Sequence, residues 1–174
     1  MGLAVETRAS LALEREHRYV GQLSVSQCAR LVAELVAGAD TALQVELQAD
    51  RRSGWPRLHG RIVGALMLEC RRCGRPFEQA LELAVDLRLV FGEAEERAAL
   101  AKAEPLLIED DRLPLWQVVE DEVLLALPML PRCQSCENVV NEAAATAARP
   151  QEQQAPAPRD NPFAALKRHL QSKE

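Results

Sequence analysis

Three stretches of this chain, residues 43–47, 58–68 and 77–91, alternate apolar and polar side chains with a period of two. Successive side chains of a β-strand point to opposite faces, so each stretch predicts a strand with one buried face. Short breaks rich in Gly, Pro and Arg separate the stretches, and short connections join antiparallel neighbours. The pattern therefore predicts an antiparallel β-meander with one apolar face and one wet face.

Two segments that flank the predicted strands have a helical period instead. Ser24 or Ser26 can cap a helix of about three turns that Gly38 ends. A stronger pattern begins at Pro114, which suits the first turn of a helix, and stops at Pro128. The fold class predicted is therefore α+β, with the antiparallel β-meander packed against two main helices.

Two Cys-x-x-Cys pairs lie sixty residues apart. The first pair falls in the break between the second and third predicted strands, and the second pair follows the Pro114–Pro128 helix. Two thiolates separated by two residues can converge on one ion, and tetrahedral zinc takes four soft ligands. The spacing predicts a structural zinc site that clamps the end of this helix to the strand hairpin. The predicted ligands are Cys70, Cys73, Cys133 and Cys136.

Other interpretations of the cysteines remain open. Reduced, idle thiols are one alternative. A redox pair of the thioredoxin type is another, but such a pair opens a helix, whereas this pair leads into a strand. A catalytic zinc of the deaminase type needs a His-x-Glu partner, but His59 is followed by Gly60 and Arg61. The fifth cysteine, Cys28, is expected to be a small core residue.

The composition of this 174-residue chain changes along its length and predicts three regions. Residues 1–138 form an α+β domain that carries both Cys-x-x-Cys pairs. Residues 139–159 contain Ala, Gln, Glu and Pro and few large apolar side chains, so they predict a disordered linker. Residues 160–174 predict a short amphipathic docking helix. Its apolar face comprises Phe163, Leu166 and Leu170.

The sequence also indicates where the protein works. Its first twenty residues are charged rather than apolar, and no apolar run has membrane-spanning length, so a cytoplasmic protein without a membrane partner is expected. Closely spaced cysteines in a reducing compartment favour metal ligation over disulfides. The chain lacks a phosphate loop, a paired carboxylate or an evident base, so we expect neither an enzyme nor a small-molecule substrate.

Positive charge is concentrated in one region, although the net charge of the chain is −5. Residues 51–75 contain seven arginines and one acid, Glu69. Arginine binds two phosphate oxygens at once, so this region predicts RNA contact along one edge of the sheet, with Trp55 and His59 as nearby stacking surfaces. The alternative is a solvated or acid-paired face. The predicted RNA-binding residues are Arg51, Arg52, Arg57, Arg61, Arg71, Arg72 and Arg75. Because aromatic content is only 3%, phosphate contact is expected to dominate over base stacking.

Three motifs in order resemble one known family. They are Cys-Arg-Arg-Cys-Gly-Arg-Pro-Phe at 70–77, Val-Glu-Asp-Glu-Val-Leu-Leu-Ala-Leu-Pro at 119–128 and Asn-Pro-Phe-Ala-Ala-Leu at 161–166. Their order and spacing are similar to those of the bacterial large ribosomal RNA subunit accumulation proteins, the YceD-like family. Cys70 and Cys73 match the Cys-x-x-Cys of that family. The segment after the motif at 119–128 is less regular in the family, and in this chain that segment holds Cys133 and Cys136.

The resemblance implies a non-enzymatic factor that promotes the processing or accumulation of 23S ribosomal RNA. The expected partner is precursor 23S RNA or an early ribosomal protein of the large subunit. An alternative function is a protein-binding adaptor whose acidic stretch, residues 93–122, engages a basic ribosomal protein during assembly.

Overall fold

A computed structural model describes residues 2–38, 40–51 and 54–136, which form a mixed α+β fold. The strands are β1 (Thr7–Arg8), β2 (Arg18–Ser24), β3 (Ala42–Asp50), β4 (Arg57–Glu69), β5 (Pro76–Val90), β6 (Glu104–Leu107) and β7 (Arg112–Leu113). The α-helices are α1 (Ala9–Glu14), α2 (Ala29–Glu34), α3 (Glu93–Ala99) and α4 (Leu115–Ala126), and Val25–Gln27 form a turn of 3₁₀ helix. The predicted α+β class is confirmed.

The main sheet has the strand order β2-β3-β4-β5-β6, and β1 pairs separately with β7. Strands β2 to β5 are antiparallel neighbours, so the predicted meander is confirmed and gains β2 at one edge. At the other edge β6 runs parallel to β5, which it reaches through α3. The sequence pattern does not predict β6, because four residues are too few to establish a period of two.

Most buried side chains of β3, β4 and β5 are those that the alternation predicts, but Asp50 and Val90 are buried out of phase with it, and Phe91, directly after β5, is exposed. Leu43, Val45 and Leu47 of β3 are buried, as are Leu58 and Ile62 of β4. Helices α1, α2 and α4 contribute buried residues to the same core cluster. The core is built mainly from Leu, Val and Ala, as the low aromatic content requires.

Helix α2 is shorter than the three turns predicted, and neither Ser24 nor Ser26 caps it. A side chain from α4 replaces the predicted cap: Glu120 Oε1 accepts hydrogen bonds from the backbone N–H groups of Arg30 (2.8 Å) and Leu31 (3.2 Å). The helix stops early because the backbone N–H of Val36 donates to the carbonyl of Met67 in β4 at 2.9 Å. Tertiary contacts therefore set both ends of α2. The second predicted helix, between Pro114 and Pro128, is confirmed as α4.

We expect Glu120→Gln to lower the free energy of unfolding by about 1–2 kcal/mol at neutral pH, because the ionised carboxylate also accepts bonds from the Arg30 guanidinium. Burial alone would raise the pKa of Glu120, but the bonds from Arg30 and Leu31 outweigh it and lower the pKa. A lowered pKa gives stability that is present above the unfolded-state pKa and lost as pH falls through the folded-state value. The difference between wild type and variant should therefore shrink in acid, as measured by urea unfolding at several pH values.

Glu122→Gln is the matched control on the same helix. Burial and the nearby Glu104 raise the pKa of Glu122, so its charged form is disfavoured in the folded state. Removing that charge should leave stability at neutral pH unchanged or increase it. A loss of stability equal to that of Glu120→Gln would contradict the assignment of Glu120 as the cap of α2.

The predicted linker (139–159) and docking helix (160–174) lie outside the described residues, as do Phe163, Leu166 and Leu170. Within residues 2–38, 40–51 and 54–136, no helix combines the length and apolar character needed to cross a membrane.

Candidate metal centre and arginine surface

The first Cys-x-x-Cys pair forms the turn that joins β4 to β5. The backbone N–H of Cys70 donates to the carbonyl of Arg75, and the N–H of Gly74 donates to the carbonyl of Cys70, both at 2.9 Å. Gly74 has a φ of 68°, a conformation that glycine adopts without steric cost. Residues 70–75 form the arginine turn, which carries Arg71, Arg72 and Arg75.

The second pair approaches this turn through backbone contacts. The carbonyl of Pro131 accepts a hydrogen bond from the N–H of Arg71 at 2.9 Å. The N–H of Cys133 points to the sulfur of Cys70 at 3.4 Å, and the N–H of Cys136 closes the second turn on the carbonyl of Cys133 at 3.0 Å. The segment after α4 is thereby fastened to the β4–β5 hairpin, where the sequence places the clamp.

The four predicted ligands converge in one cluster. Their sulfur atoms all lie within 4.8 Å of one another, with Cys70 and Cys136 separated by 3.9 Å and Cys73 and Cys133 by 3.7 Å. Four thiolates at about 2.3 Å from one tetrahedral ion are about 3.8 Å apart. The cluster therefore fits a single metal ion. A disulfide needs a sulfur separation of about 2.05 Å, and all five cysteines are free thiols.

The pKa values of the cluster show how the sulfur atoms affect one another. The backbone N–H of Cys133 stabilises the Cys70 thiolate and lowers the pKa of Cys70 to about 6. Contact with the Cys73 sulfur stabilises the protonated form of Cys136 and raises its pKa to about 12. The protein alone therefore favours the thiolate at Cys70 over that at Cys136. A divalent cation would supply the positive charge that four neighbouring thiolates require.

Burial divides the ligands into an inner and an outer part. Cys70 and Cys133 are buried, Cys136 is half-buried, and Cys73 is exposed. Cys28 lies apart in the hydrophobic core, where burial raises its pKa to about 11, so its predicted role as a core residue is confirmed.

The structure separates the predicted RNA-binding arginines into two groups, so the prediction of one sheet edge is wrong. They flank β4, which is the middle strand of the five-stranded sheet. A strand of this length, 13 residues, spans about 40 Å between its ends. Arg51, Arg57 and Arg61 lie towards one end of β4, and the arginine turn lies at the other. Arg52 is outside the described residues.

The two groups also differ in their electrostatic partners. Arg57 pairs with Asp86 at 2.7 Å, and Arg61 pairs with Glu46 at 3.0 Å. The side chains of Arg71, Arg72 and Arg75 are exposed, and none forms an ion pair with another residue of the described part of the chain. Arg72 donates to the backbone carbonyl of Cys136 at 3.0 Å, which ties the arginine turn to the second cysteine pair.

Sequence reasoning missed one cation that the fold adds to the first group. The guanidinium carbon of Arg88 lies 3.7 Å from the ring centroid of Trp55. Arg88 is outside the arginine-rich window, and only the register of the hairpin, which pairs Arg57 with Arg88, brings it to this position. The period-two alternation does place Arg88 on the polar face of its strand, but it does not specify the neighbour.

Residues 58–168 match the family model described as large ribosomal RNA subunit accumulation protein YceD. The chain belongs to this family. The matched residues include both cysteine pairs and the arginine turn. The resemblance noted from the three sequence motifs is therefore confirmed.

A curated YceD relative shows the same likeness over most of its length. The large ribosomal RNA subunit accumulation protein YceD of Haemophilus influenzae is 29% identical over 122 residues, which cover 68% of this chain and 68% of the relative. No solved structure gives a significant match to the chain.

Proposed function

We propose that this protein is a non-enzymatic cytoplasmic factor that promotes the accumulation of 23S ribosomal RNA in the large subunit by binding the precursor RNA. The observation that carries the RNA contact is the arginine turn. The turn presents three exposed guanidinium groups within five residues, and none of them forms an ion pair with the rest of the described chain. Such a group of cations can bind the phosphates of one RNA backbone segment. The family name, which refers to ribosomal RNA of the large subunit, supports the class of partner.

The metal in this proposal is zinc, held by Cys70, Cys73, Cys133 and Cys136. Four thiolates form a closed structural site, with all four tetrahedral positions supplied by the protein. Its role is to hold the arginine turn rigidly against the segment that follows α4. A preorganised turn loses less conformational entropy when its arginines bind RNA.

The alternative, an acidic adaptor for a basic ribosomal protein, has weaker support. Glu120 and Asp121 are already occupied by Arg30, with ion-pair distances of 2.8 and 2.6 Å. Glu95 accepts the backbone N–H of Phe91 at 3.0 Å. These carboxylates therefore stabilise the fold. A protein partner remains part of the proposal for the tail, where residues 139–159 act as a linker and 160–174 as a docking helix.

Exchanging the three turn arginines for Gln should weaken binding to precursor 23S RNA and flatten its salt dependence. Each lost phosphate contact removes about 0.7–0.9 from the magnitude of the slope of log K against log salt concentration, so the loss of three contacts should reduce it by about 2–3. The measurement is filter binding of a 23S RNA fragment at several salt concentrations, combined with cross-linking in cells. The matched control replaces Arg8, Arg15 and Arg97 with Gln, which removes the same charge away from the turn.

Equal RNA affinity and cross-linking in wild type and the arginine-turn variant would rule out the proposed contact. A complex with a basic ribosomal protein that survives ribonuclease and dissociates in high salt would instead favour the adaptor.

A further inference from the structure

A second basic site lies at the other end of β4, in an open pocket of about 570 Å³. This volume is within the range of about 300–1,000 Å³ that is usual for small-ligand sites. The turn before β4, the end of β5 and the segment from α3 to β6 form its walls. The lining residues are Trp55, Arg57, Asp86, Arg88, Ala98, Lys102 and Ala103.

The indole of Trp55 is presented to solvent on an anchored turn. Trp55 is 54% exposed, although a large aromatic group gains free energy from burial. The backbone N–H of Leu89 donates to the carbonyl of Pro56 at 2.9 Å, which fastens the turn to β5. The N–H of Gly54 closes the turn on the carbonyl of Arg51 at 3.0 Å. The guanidinium carbon of Arg88 lies over the indole at 3.7 Å from the ring centroid, so the cation and the ring form a stacked pair on the surface of the pocket.

The charges around this surface are unbalanced. The hairpin register places Arg57 directly opposite Arg88, and like charges in that relation destabilise a sheet. Asp86 is the one carboxylate among the lining residues, and its Oδ1 atom accepts bonds from Arg57 at 3.0 and 2.7 Å. Lys102 adds a third cation, with no ion-pair partner in the part of the chain that the structure describes. An anionic ligand would offset this excess of positive charge.

The pocket suits a ligand with two chemical features. One is a planar group that stacks on Trp55 or Arg88, and the other is a phosphate near Arg88 and Lys102. We infer that the pocket binds a nucleotide of single-stranded RNA, with the base on the Trp55–Arg88 stack and the phosphate beside Lys102. Ala98 and Ala103 are both exposed and small, so they leave room for a base beside the indole. Stacking and cationic contact together are the usual means of binding single strands without sequence preference.

This inference rests on the proposed function, because it identifies a second RNA contact about 40 Å from the arginine turn. The geometry explains how a chain with few aromatic residues can still hold an unpaired base. The arginine turn would bind backbone phosphates, while the Trp55 pocket would bind one exposed nucleotide. An RNA segment that bridges both sites would follow the length of the β4–β5 hairpin.

The test titrates full-length protein with decauridylate, adenosine monophosphate and inorganic phosphate by isothermal titration calorimetry, and tryptophan fluorescence is recorded in a parallel titration of wild type. Decauridylate should quench the fluorescence, and Trp55→Ala should weaken its binding by about tenfold or more. Arg88→Gln should weaken it several-fold, whereas the control Arg97→Gln, on the neighbouring helix but outside the pocket, should change it by less than about twofold. Thermal melts of each variant establish that the fold is retained, and Trp55→Phe, which keeps an aromatic face, should restore most of the affinity.

The two probes that contain a base separate the possible sources of the ligand. Binding of both decauridylate and adenosine monophosphate through Trp55 assigns a nucleotide site, and tighter binding of decauridylate assigns RNA as its source. Saturation by inorganic phosphate with equal competition against decauridylate would overturn the inference, because a base would then contribute nothing. Equal affinities of wild type, Trp55→Ala and Arg88→Gln would also overturn it.

The experiments distinguish failure of the nucleotide pocket from failure of the arginine turn. Loss of RNA binding in the arginine-turn variant with full binding in Trp55→Ala removes the nucleotide pocket and leaves the proposed function. The reverse result retains the pocket and removes the arginine turn as an RNA contact.

Discussion

Replacing Cys70 with Ser is expected to abolish metal binding and to lower the melting temperature by about 10 °C or more. Cys70 is the innermost ligand, with no exposed surface, and it also accepts the backbone N–H of Cys133. Structural zinc contributes an apparent binding free energy of about 10–16 kcal/mol in small domains. Loss of even about 3 kcal/mol of this would produce the stated shift in a domain of this size.

The measurement combines elemental analysis of purified protein with calorimetry. Wild type should hold one metal ion per chain, and Cys70→Ser should hold none. Cys28→Ala is the matched control, since Cys28 is also buried but lies in the apolar core. It should retain the metal. Metal-free wild-type protein with five freely reactive thiols, or a Cys70→Ser variant with an unchanged melting temperature, would refute the metal centre.

Gly60→Ala should lower the free energy of unfolding by about 3–5 kcal/mol. Gly60 lies in β4, where it pairs with Leu47 of β3 and has a φ of 155°. A Cβ atom at this position would lie 2.0 Å from the carbonyl oxygen of Glu46 and 2.9 Å from the Cα of Leu47. Both are backbone atoms of the neighbouring strand, so the two strands would have to separate to relieve the clash.

Denaturant unfolding followed by circular dichroism measures this loss, and Gly92→Ala provides the comparison. Gly92 has an extended backbone, and an added Cβ would meet nothing within 4 Å. That variant should remain within about 1 kcal/mol of wild type. A Gly60→Ala protein that is as stable as Gly92→Ala would show that β3 and β4 do not approach as closely as described.

Periodicity predicted those elements that are long enough to show a period. Strands β3, β4 and β5 and helix α4 each contain several repeats of their pattern, and all are present. Strand β6, with four residues, is too short to reveal its type, and the helix that the sequence predicts before Gly38 has only six residues as α2. Their bounds depend on neighbours that are distant in sequence, such as the Glu120 carboxylate at the start of α2.

The candidate sites also contain parts that local sequence predicts and parts that depend on tertiary structure. The cysteine cluster could be predicted because each pair is a local motif and tetrahedral coordination requires four ligands. The partners of the arginines could not be predicted, because only the strand register brings Asp86 to Arg57 and Glu46 to Arg61. The Trp55 pocket depends on Arg88 and Lys102, which neither spacing nor composition connects to Trp55.

The sequence by itself determined the antiparallel meander and helix α4, because period and proline position act within a few residues, and its two close cysteine pairs predicted the four-cysteine cluster. Only the tertiary structure decided the length of α2, the pairing of Arg57 and Arg61 with acids, and the Arg88 stack on Trp55. These features arise from strand register and helix packing, which bring together groups many residues apart, and a shift of one residue in register would turn each side chain to the other face.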